Sequence, residues 1–477
     1  MMNLFSEKIR VDQISLINYA FCFFPISFIL GNLIINLNVV LFCCLGIFYF
    51  KSKIFSIKLN NIAKIIFLLF VSIFLSTLIS FLKSFYYTGY SAEEFSNLIK
   101  AVLFFRFFLM LLIIYFLTQF DVLNFKYFFL TIALLALVIS MDVIFQHLFG
   151  FNTIGLRSPD PRHSSGFFGN ELIAGGIIKH FSFFLILFTL FFFKDKKILK
   201  IIFTTIIISI LAVSIMVSGN RMSYVLFILG LIFIFFIGKN FRIITPIALV
   251  CIFILFQIIF LSSDNMHKHY RSFISMNHNE SLVNNVNDIV TKIIRGLKTK
   301  KDLTYAEELY LRVSEEKKVT SSGMGRPESY SHAGMLITAT QTWKLNKLYG
   351  NGIKSFRRDC SKVKHPDYTL QCSNHPHNYF LEILTETGFL GIFITAILAL
   401  FFIFFIFKSL KILNGKNIEN YILLASTLSL FIEIFPIRSS GSIFTTGNSA
   451  PIMFFTAIVI SLQAKLSLKK LNTTSNL

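Results

Sequence analysis

The stretch Ile65-Ile-Phe-Leu-Leu-Phe-Val-Ser-Ile-Phe-Leu-Ser-Thr-Leu-Ile-Ser-Phe-Leu82 contains 18 residues and no charge. A helix of this length crosses the hydrocarbon core of a bilayer, which takes roughly 17 to 25 apolar residues. The surrounding chain has the same character, because 55% of its 477 residues are hydrophobic, 14% are charged and 60 are Phe. Its mean hydropathy is +0.70. No soluble core can bury so large an apolar share, so the sequence excludes a string of soluble domains and predicts a membrane protein.

Segments of this kind recur along the chain, and we predict an all-α polytopic membrane protein with about 12 transmembrane helices. The predicted spans are 13–30, 33–50, 63–82, 99–118, 126–148, 171–193, 200–217, 222–237, 243–262, 379–407, 419–437 and 449–464. They divide the chain into helices 1 to 9 (1–262), a large extramembrane loop domain (263–378) and helices 10 to 12 (379–477).

The basic residues are distributed unevenly between alternate connections. The net charge is +21, and 19 Lys and Arg fall on one side of the predicted membrane, against five in the short loops of the other side. Because cytoplasmic loops are enriched in Lys and Arg, this split predicts that both termini are cytoplasmic and that the loop domain lies on the outer face. Topology therefore accounts for most of the positive charge, and we predict no nucleic-acid partner.

The loop domain carries 18 Lys and Arg against 11 Asp and Glu, and seven of the ten histidines. We expect it to be mostly helical, because apolar residues recur at helical spacing. These residues are Ile289, Ile293, Ile294 and Leu297, and again Leu336, Ala339 and Trp343. The segment Tyr349-Gly-Asn-Gly352 predicts a turn, and the basic cluster Lys354, Arg357 and Arg358 follows it.

Two cysteines, Cys360 and Cys372, lie in the loop domain, where an oxidising compartment favours a disulfide between them. The alternative is a metal site in which these cysteines join histidines of the same region, namely His365, His375 and His377. No Cys-x-x-Cys or His-x-x-x-His spacing supports zinc. We therefore predict the disulfide, with neither a metal nor a cofactor.

The loop domain ends in His375-Pro-His-Asn378, directly before the tenth span. A neutral imidazole at the membrane surface is suited to accept a proton near pH 7. Asn378 is placed to orient a histidine or a substrate, and Glu382 and Glu386 lie one turn apart at the start of the span. The alternative is that His375 and His377 only cap the incoming helix.

A second polar group, Ser218-Gly-Asn-Arg221, forms the tight outer connection between the seventh and eighth spans. An arginine at this depth needs an anionic partner, and its planar fork suits phosphate. The alternative is that Arg221 snorkels to lipid headgroups. A third group is basic and supplies either further phosphate ligands or a solvated face. It comprises Arg326, Lys354, Arg357 and Arg358 with Arg157, Arg162 and His163.

These residues describe a basic cavity with histidines at the outer leaflet, suited to proton-assisted transfer from an anionic, lipid-linked substrate. Three segments together resemble the O-antigen ligase and polymerase superfamily of bacterial inner membranes. They are His375-Pro-His-Asn-Tyr-Phe-Leu-Glu-Ile-Leu-Thr-Glu-Thr-Gly388, Tyr349-Gly-Asn-Gly-Ile-Lys-Ser-Phe-Arg357 and Ser218-Gly-Asn-Arg221. The order of the spans and the large loop before the last three resemble the family as well.

The resemblance implies a metal-independent, inverting glycosyl transfer from undecaprenyl diphosphate to an acceptor sugar hydroxyl, as in ligation of O-antigen to lipid A-core. It implies that His377 is the general base and that Arg221 binds the diphosphate. Asn378 and Glu382 match the family's supporting residues. Many members carry an arginine where this chain has His332, so the second diphosphate ligand falls to His332, Arg326 or Arg357, with Lys354 close in sequence.

Two classes of alternative remain. A polymerase or a protein O-glycosylating ligase of the same superfamily differs in the acceptor, which the motifs do not encode. A transporter or lipid-binding membrane protein predicts polar residues at mid-membrane. The spans contain few of these, chiefly Arg106, Asp142 and Lys179, so the sequence favours the ligase.

Overall fold

The computed structural model describes residues 2–51, 59–238, 241–274, 332–364, 372–412 and 417–474. The regular elements within these ranges are all helical, as the sequence predicts. The α-helices are α1 (Met2–Leu30), α2 (Asn32–Phe50), α3 (Asn61–Thr88), α4 (Ala92–Gln119), α5 (Phe125–Phe149), α6 (Ala174–Phe192), α7 (Lys197–Val217), α8 (Arg221–Ile237), α9 (Phe241–Ser262), α10 (Asp264–Ile274), α11 (His332–Trp343), α12 (Phe356–Asp359), α13 (Tyr379–Ile412), α14 (Ile418–Glu433) and α15 (Thr446–Thr474). Short 3-10 helices cover Gly166–Phe168, Lys344–Asn346 and Cys360–Lys362.

Ten helices of the described ranges are long and apolar enough to cross a membrane. They are α1 to α7, α9, α13 and α15. The helices at the predicted eighth and eleventh spans are shorter, since α8 has 17 residues and α14 has 16. The prediction of an all-α polytopic membrane protein is confirmed, with ten helices long enough to span the membrane and two shorter ones at the predicted eighth and eleventh spans.

Phenylalanine rings join the helices inside the bundle. Phe24 of α1 lies 4.6 Å from Phe454 of α15 between ring centroids, and Phe454 also contacts Phe21 of α1 and Phe128 of α5 at 5.6 Å each. Lipid tails are as apolar as these side chains, so helices in a membrane associate through close packing. Each aromatic pair adds about 0.5–1.5 kcal/mol beyond burial, which gives the abundant Phe a structural role.

The helices differ in how far the bundle encloses them. In an apolar 18-residue stretch of α15, 78% of the residues are buried inside the protein, and in the corresponding stretch of α4 the buried share is 67%. The share is also 67% in α6. In α13 the share is 11%. Helices α4, α6 and α15 are therefore the most enclosed, whereas the part of α13 that follows its buried first turns lies at the rim of the bundle.

Several connections lie at one end of the bundle, which we call the loop face. It comprises 150–173, 218–220, 344–378 and 434–445, so far as these are described. The Ser164 N–H donates to the Val217 carbonyl at 3.0 Å, and the Ser440 N–H donates to the His377 carbonyl at 2.9 Å. Much of the predicted loop domain, including the periodic residues from Ile289 to Leu297, lies outside the described residues. The predicted helix through Leu336, Ala339 and Trp343 is α11.

The predicted turn at 349–352 docks into a break in α13. At Gly388 the backbone leaves the helical region, with φ 66° and ψ −161°. The freed Phe389 N–H donates to the carbonyl of Lys347, just before the turn, at 2.8 Å, so this segment satisfies the group that the break exposes. Gly350 and Gly388 meet backbone to backbone, because a Cβ on Gly350 would lie 2.5 Å from main-chain atoms of Glu386 and Gly388.

Gly350→Ala is therefore expected to destabilise the protein by about 2 kcal/mol, because the added methyl group meets backbone and φ is +74°. The measurement is the temperature of unfolding of the purified protein in detergent. Gly176→Ala is the matched control, since nothing lies within 4 Å of its added Cβ. Equal unfolding temperatures for the Gly350 variant and the control would contradict the docking.

Candidate functional site

Asn378 caps α13 and fastens a second loop to it. Its Oδ1 accepts hydrogen bonds from the backbone N–H groups of Phe380 at 3.0 Å and Leu381 at 3.2 Å. Its Nδ2 donates to the carbonyls of Pro436 at 2.7 Å and Arg438 at 3.2 Å. The capping role that the sequence leaves open for the two histidines thus belongs to Asn378, an amide suited to it.

His375 and His377 form a close pair, with ring centroids 4.3 Å apart. His377 has φ +53°, a left-handed conformation that costs a non-glycine residue about 1–3 kcal/mol. Its backbone is held there by the Ser440 N–H, and its Nε2 lies 3.3 Å from Ser373 Oγ. The fold therefore holds His377 in an energetically unfavourable backbone conformation, and its imidazole lies at the loop face.

The environment of His375 favours the neutral imidazole. Burial lowers its pKa below the ordinary value, and the neighbouring His377 and the positive charge of Arg357 lower it further. Two imidazoles this close also resist carrying a proton each. His375 is thus uncharged near neutral pH and adds no repulsion when its neighbour accepts a proton.

Glu382 and Glu386 each anchor a different loop to α13. The carboxylate of Glu382 accepts hydrogen bonds from Ser442 Oγ at 2.5 Å and from the Ile443 N–H at 2.7 Å. That of Glu386 accepts from the Lys354 N–H at 2.5 Å and the Phe356 N–H at 3.4 Å. The two carboxylates therefore position the loops, and the loop that Glu382 holds also contains Ser440, whose N–H donates to the His377 carbonyl.

The residues of the predicted basic cluster differ in whether they form salt bridges. Arg358 forms salt bridges with Glu94 and with Asp359. Arg357 is exposed, and its charge reaches both His375 and Lys354. Burial and the charge of Arg357 lower the pKa of Lys354. Lys354 and Arg357 thus supply positive charge beside the histidine pair.

The structure joins Cys360 to Cys372 in a disulfide, with the Cα atoms 5.4 Å apart. This bond connects the basic turn to the segment that leads into His375. His365, part of the alternative metal set, lies outside the described residues. Among the residues that are described, no three His, Cys, Asp or Glu side chains are grouped as metal ligands would be.

Arg221 begins α8 and contacts a histidine that the sequence did not single out. Its Nη2 lies 3.1 Å from Nδ1 of His269 on α10. Arg221 Nε donates to His269 Nε2 at 3.1 Å, and the same Nε2 lies 2.9 Å from the Gly219 carbonyl. Gly219 permits this arrangement, because at φ +75° an added Cβ would lie 2.4 Å from the ring of His163.

The charge of Arg221 is not neutralised by this contact. Burial lowers the pKa of His269, and the cations Arg221 and Arg162 lower it further, so the imidazole is neutral near pH 7. Arg162 is itself paired with Asp160, at 2.7 Å. An uncharged partner therefore orients the Nε and Nη2 edge of the Arg221 guanidinium.

A buried ion cluster lies under the histidine segment. Glu433, at the end of α14, accepts from Lys179 Nζ at 2.6 Å, from Arg438 Nη1 at 2.5 Å and from the Tyr379 hydroxyl at 2.8 Å. His180 Nε2 lies 3.1 Å from the same carboxylate. Lys179, a candidate for a mid-membrane transport residue in the sequence, is thus a member of an ion pair.

The predicted site residues fall into separate groups. Lys354, Arg357, His375, His377, Asn378 and Glu382 lie together, whereas Arg221 lies with His269 in a second cluster of the loop face. Arg326 lies outside the described residues, and His332 is the first residue of α11, with its side chain not described. Sequence reasoning missed His269 and Arg438; the signal for Arg438 was that it is the one basic residue in 434–445.

Residues 206–396 match the model of a family described as O-antigen ligase. The matched range holds both Arg221 and His377, and it covers about two fifths of the chain. It confirms the resemblance to the O-antigen ligase and polymerase superfamily that the sequence motifs predict. No curated protein matches the chain.

The lowered pKa of His269 predicts a pH-dependent stability that His269→Gln removes. As the pH falls below about 6.5, the unfolded chain gains a proton that the folded chain excludes, so stability falls with pH. Glutamine retains an amide oxygen that accepts from Arg221 but does not titrate. Thermal unfolding at about pH 7.5 and about pH 5.5 is expected to show a smaller drop for the variant than for the wild type; equal drops would contradict the neutral histidine.

Proposed function

Since the family match spans both Arg221 and His377, we propose that this chain is a glycosyltransferase of the O-antigen ligase type. It transfers a glycan from undecaprenyl diphosphate to a sugar hydroxyl of lipid A-core. We place it in a bacterial inner membrane, with both termini cytoplasmic and the loop face periplasmic. The uneven distribution of Lys and Arg between alternate connections supports this orientation.

His377 is the general base in this proposal. The imidazole takes the proton of the acceptor hydroxyl while the hydroxyl oxygen bonds to the anomeric carbon of the donor sugar. Attack comes from the side opposite the diphosphate, so the configuration at that carbon inverts. The bond between the carbon and the phosphate oxygen breaks, and its electron pair leaves with undecaprenyl diphosphate. The strained backbone of His377, held by Ser440, supports a functional role for this residue.

Arg221 stabilises the charge that develops on the leaving diphosphate. A guanidinium matches phosphate oxygens with two parallel hydrogen bonds, and His269 orients it without neutralising it. Lys354 and Arg357 add positive charge beside the histidines. These side chains supply the electrostatic stabilisation that a metal ion provides in other transferases, so the proposed mechanism needs no metal.

Asn378 and Glu382 are positioning residues in this mechanism. Asn378 fixes the start of α13, and Glu382 fixes the loop that holds the His377 backbone. The observation that carries the proposal is the family match over a range that contains the predicted base and the predicted diphosphate ligand. The same match supports a polymerase, so the choice of acceptor decides between them.

The proposed function is tested by reconstituting the full chain with undecaprenyl-diphosphate glycan and three acceptors: lipid A-core, a second glycan and a pilin-like protein. We expect transfer to lipid A-core. His377→Ala is expected to abolish this transfer, because loss of a general base costs about 10²–10⁴-fold in rate and the alanine leaves no acceptor for the proton.

His147→Ala is the matched control, since His147 is a histidine in the last turn of α5, where the chain reaches the loop face. We expect it to retain activity. Full activity of His377→Ala would overturn the base assignment. Transfer only to the glycan or to the protein acceptor would replace the ligase by the corresponding family member.

Arg221→Lys is expected to lower transfer at least about tenfold, because an ammonium group does not reproduce the bidentate contacts of a guanidinium with phosphate. The measurement is the initial rate of the same reconstituted reaction. Arg157→Lys, a change at an exposed arginine of the same face, serves as the control. A wild-type rate for Arg221→Lys would favour headgroup contact over a role in the reaction.

A further inference from the structure

The buried cluster around Glu433 contains more positive than negative charge. Lys179 and Arg438 each contact its carboxylate, and counting His180 as neutral leaves two cations against one anion. The side chains are 2% exposed for Lys179, 11% for Arg438 and 3% for Glu433. Charges in such surroundings require compensation. The cluster therefore carries a net charge of +1, and one further negative charge would balance it.

Arg438 has a free donor within this cluster. Its Nη1 donates to the side chain and the backbone carbonyl of Glu433. Its Nε is buried and has no hydrogen-bond partner among the described residues. Buried polar groups are rarely left unpaired, so an unsatisfied guanidinium N–H indicates a missing acceptor. The side chain as a whole is 11% exposed, so the guanidinium lies at the edge of the buried cluster.

The position of Arg438 connects this donor to the candidate site. The Asn378 side chain holds the backbone of Arg438, and the guanidinium lies 5.2 Å from the ring centroid of Tyr379. Ser440, two residues further on, holds the backbone of His377. An anion bound at Arg438 therefore lies next to the segment that contains His377 and Asn378.

An apolar groove begins at the same place. Tyr379 lines it together with Ile434 and Ile443, which lie on either side of Arg438 in the chain. It continues along the lipid-facing helix α13 to Phe405 and is lined almost wholly by aliphatic and aromatic side chains. The site thus combines a cation with an unsatisfied donor and a groove that suits a hydrocarbon chain.

We propose that Arg438 binds a phosphate group of an anionic lipid whose hydrocarbon chain lies in this groove. The phosphate oxygens accept from Nε and supply the missing negative charge, and the chain covers the apolar walls. Two lipids offer this chemistry: the diphosphate of the proposed glycan donor, in which case the inference rests on the proposed function, and the headgroup of a bilayer phospholipid.

The test measures lipid binding to the full chain in detergent by native mass spectrometry. The probes are undecaprenyl diphosphate, phosphatidylglycerol and undecaprenol, which has the hydrocarbon chain without the charge. Arg438→Gln is expected to weaken binding of an anionic probe about tenfold or more, the effect of losing a hydrogen bond to a charged group. Binding of undecaprenol is expected to stay unchanged. Arg157→Gln, with the same change of charge at an exposed position, is the control.

The two anionic probes, undecaprenyl diphosphate and phosphatidylglycerol, distinguish which kind of lipid binds at Arg438. A loss confined to undecaprenyl diphosphate assigns the site to the donor, and a loss confined to phosphatidylglycerol assigns it to a bilayer lipid. In the second case the anion site stands even if glycan transfer fails, so the two proposals fail separately. Wild-type affinity of Arg438→Gln for both anionic probes would overturn the inference.

Arg438→Lys is the second variant in case Arg438→Gln misfolds, because lysine keeps the positive charge beside Glu433 while removing Nε. If the glutamine variant is not recovered folded, the lysine variant decides. A weaker affinity than wild type for one anionic probe, with undecaprenol unchanged, supports the site. Wild-type affinity for both anionic probes contradicts it.

Discussion

The loop face depends on two carboxylates one turn apart at the start of α13. Glu382 takes donors from the loop that contains Ser442, and Glu386 takes backbone N–H groups from the turn that contains Lys354. Near a bilayer there is little water to satisfy buried N–H groups, so each loop needs an internal acceptor. The position of the proposed base and that of the basic turn therefore both follow from one turn of a single helix.

Arg221 and Arg438 have different surroundings, because one contacts a neutral histidine and the other a buried carboxylate. Arg221 contacts His269, whose imidazole is neutral near pH 7. Arg438 shares a buried carboxylate with Lys179, which compensates only part of the positive charge. The diphosphate of the proposed donor carries more than one negative charge, and the loop face contains more than one cation.

Much of the fold was predictable, because hydropathy and helical period are properties of short segments. The membrane class, ten of the spans, the helix through Ala339 and the turn at Gly350 follow from such patterns. The break at Gly388 did not, since a glycine at this point of a predicted helix has the same composition whether the helix continues or bends. The histidine and asparagine at the start of α13 were visible as a motif, but the motif did not show that the asparagine is the cap.

The sequence alone determined that the chain crosses a membrane repeatedly, where its positive charges concentrate, and which family its motifs resemble. The tertiary structure decided which charges meet: Lys179 pairs with Glu433 across 254 residues of sequence, and Arg221 meets His269 across 48. No spacing rule specifies such pairs, because they depend on which helices pack side by side. Composition therefore determined the environment of each residue, whereas helix packing determined its partners.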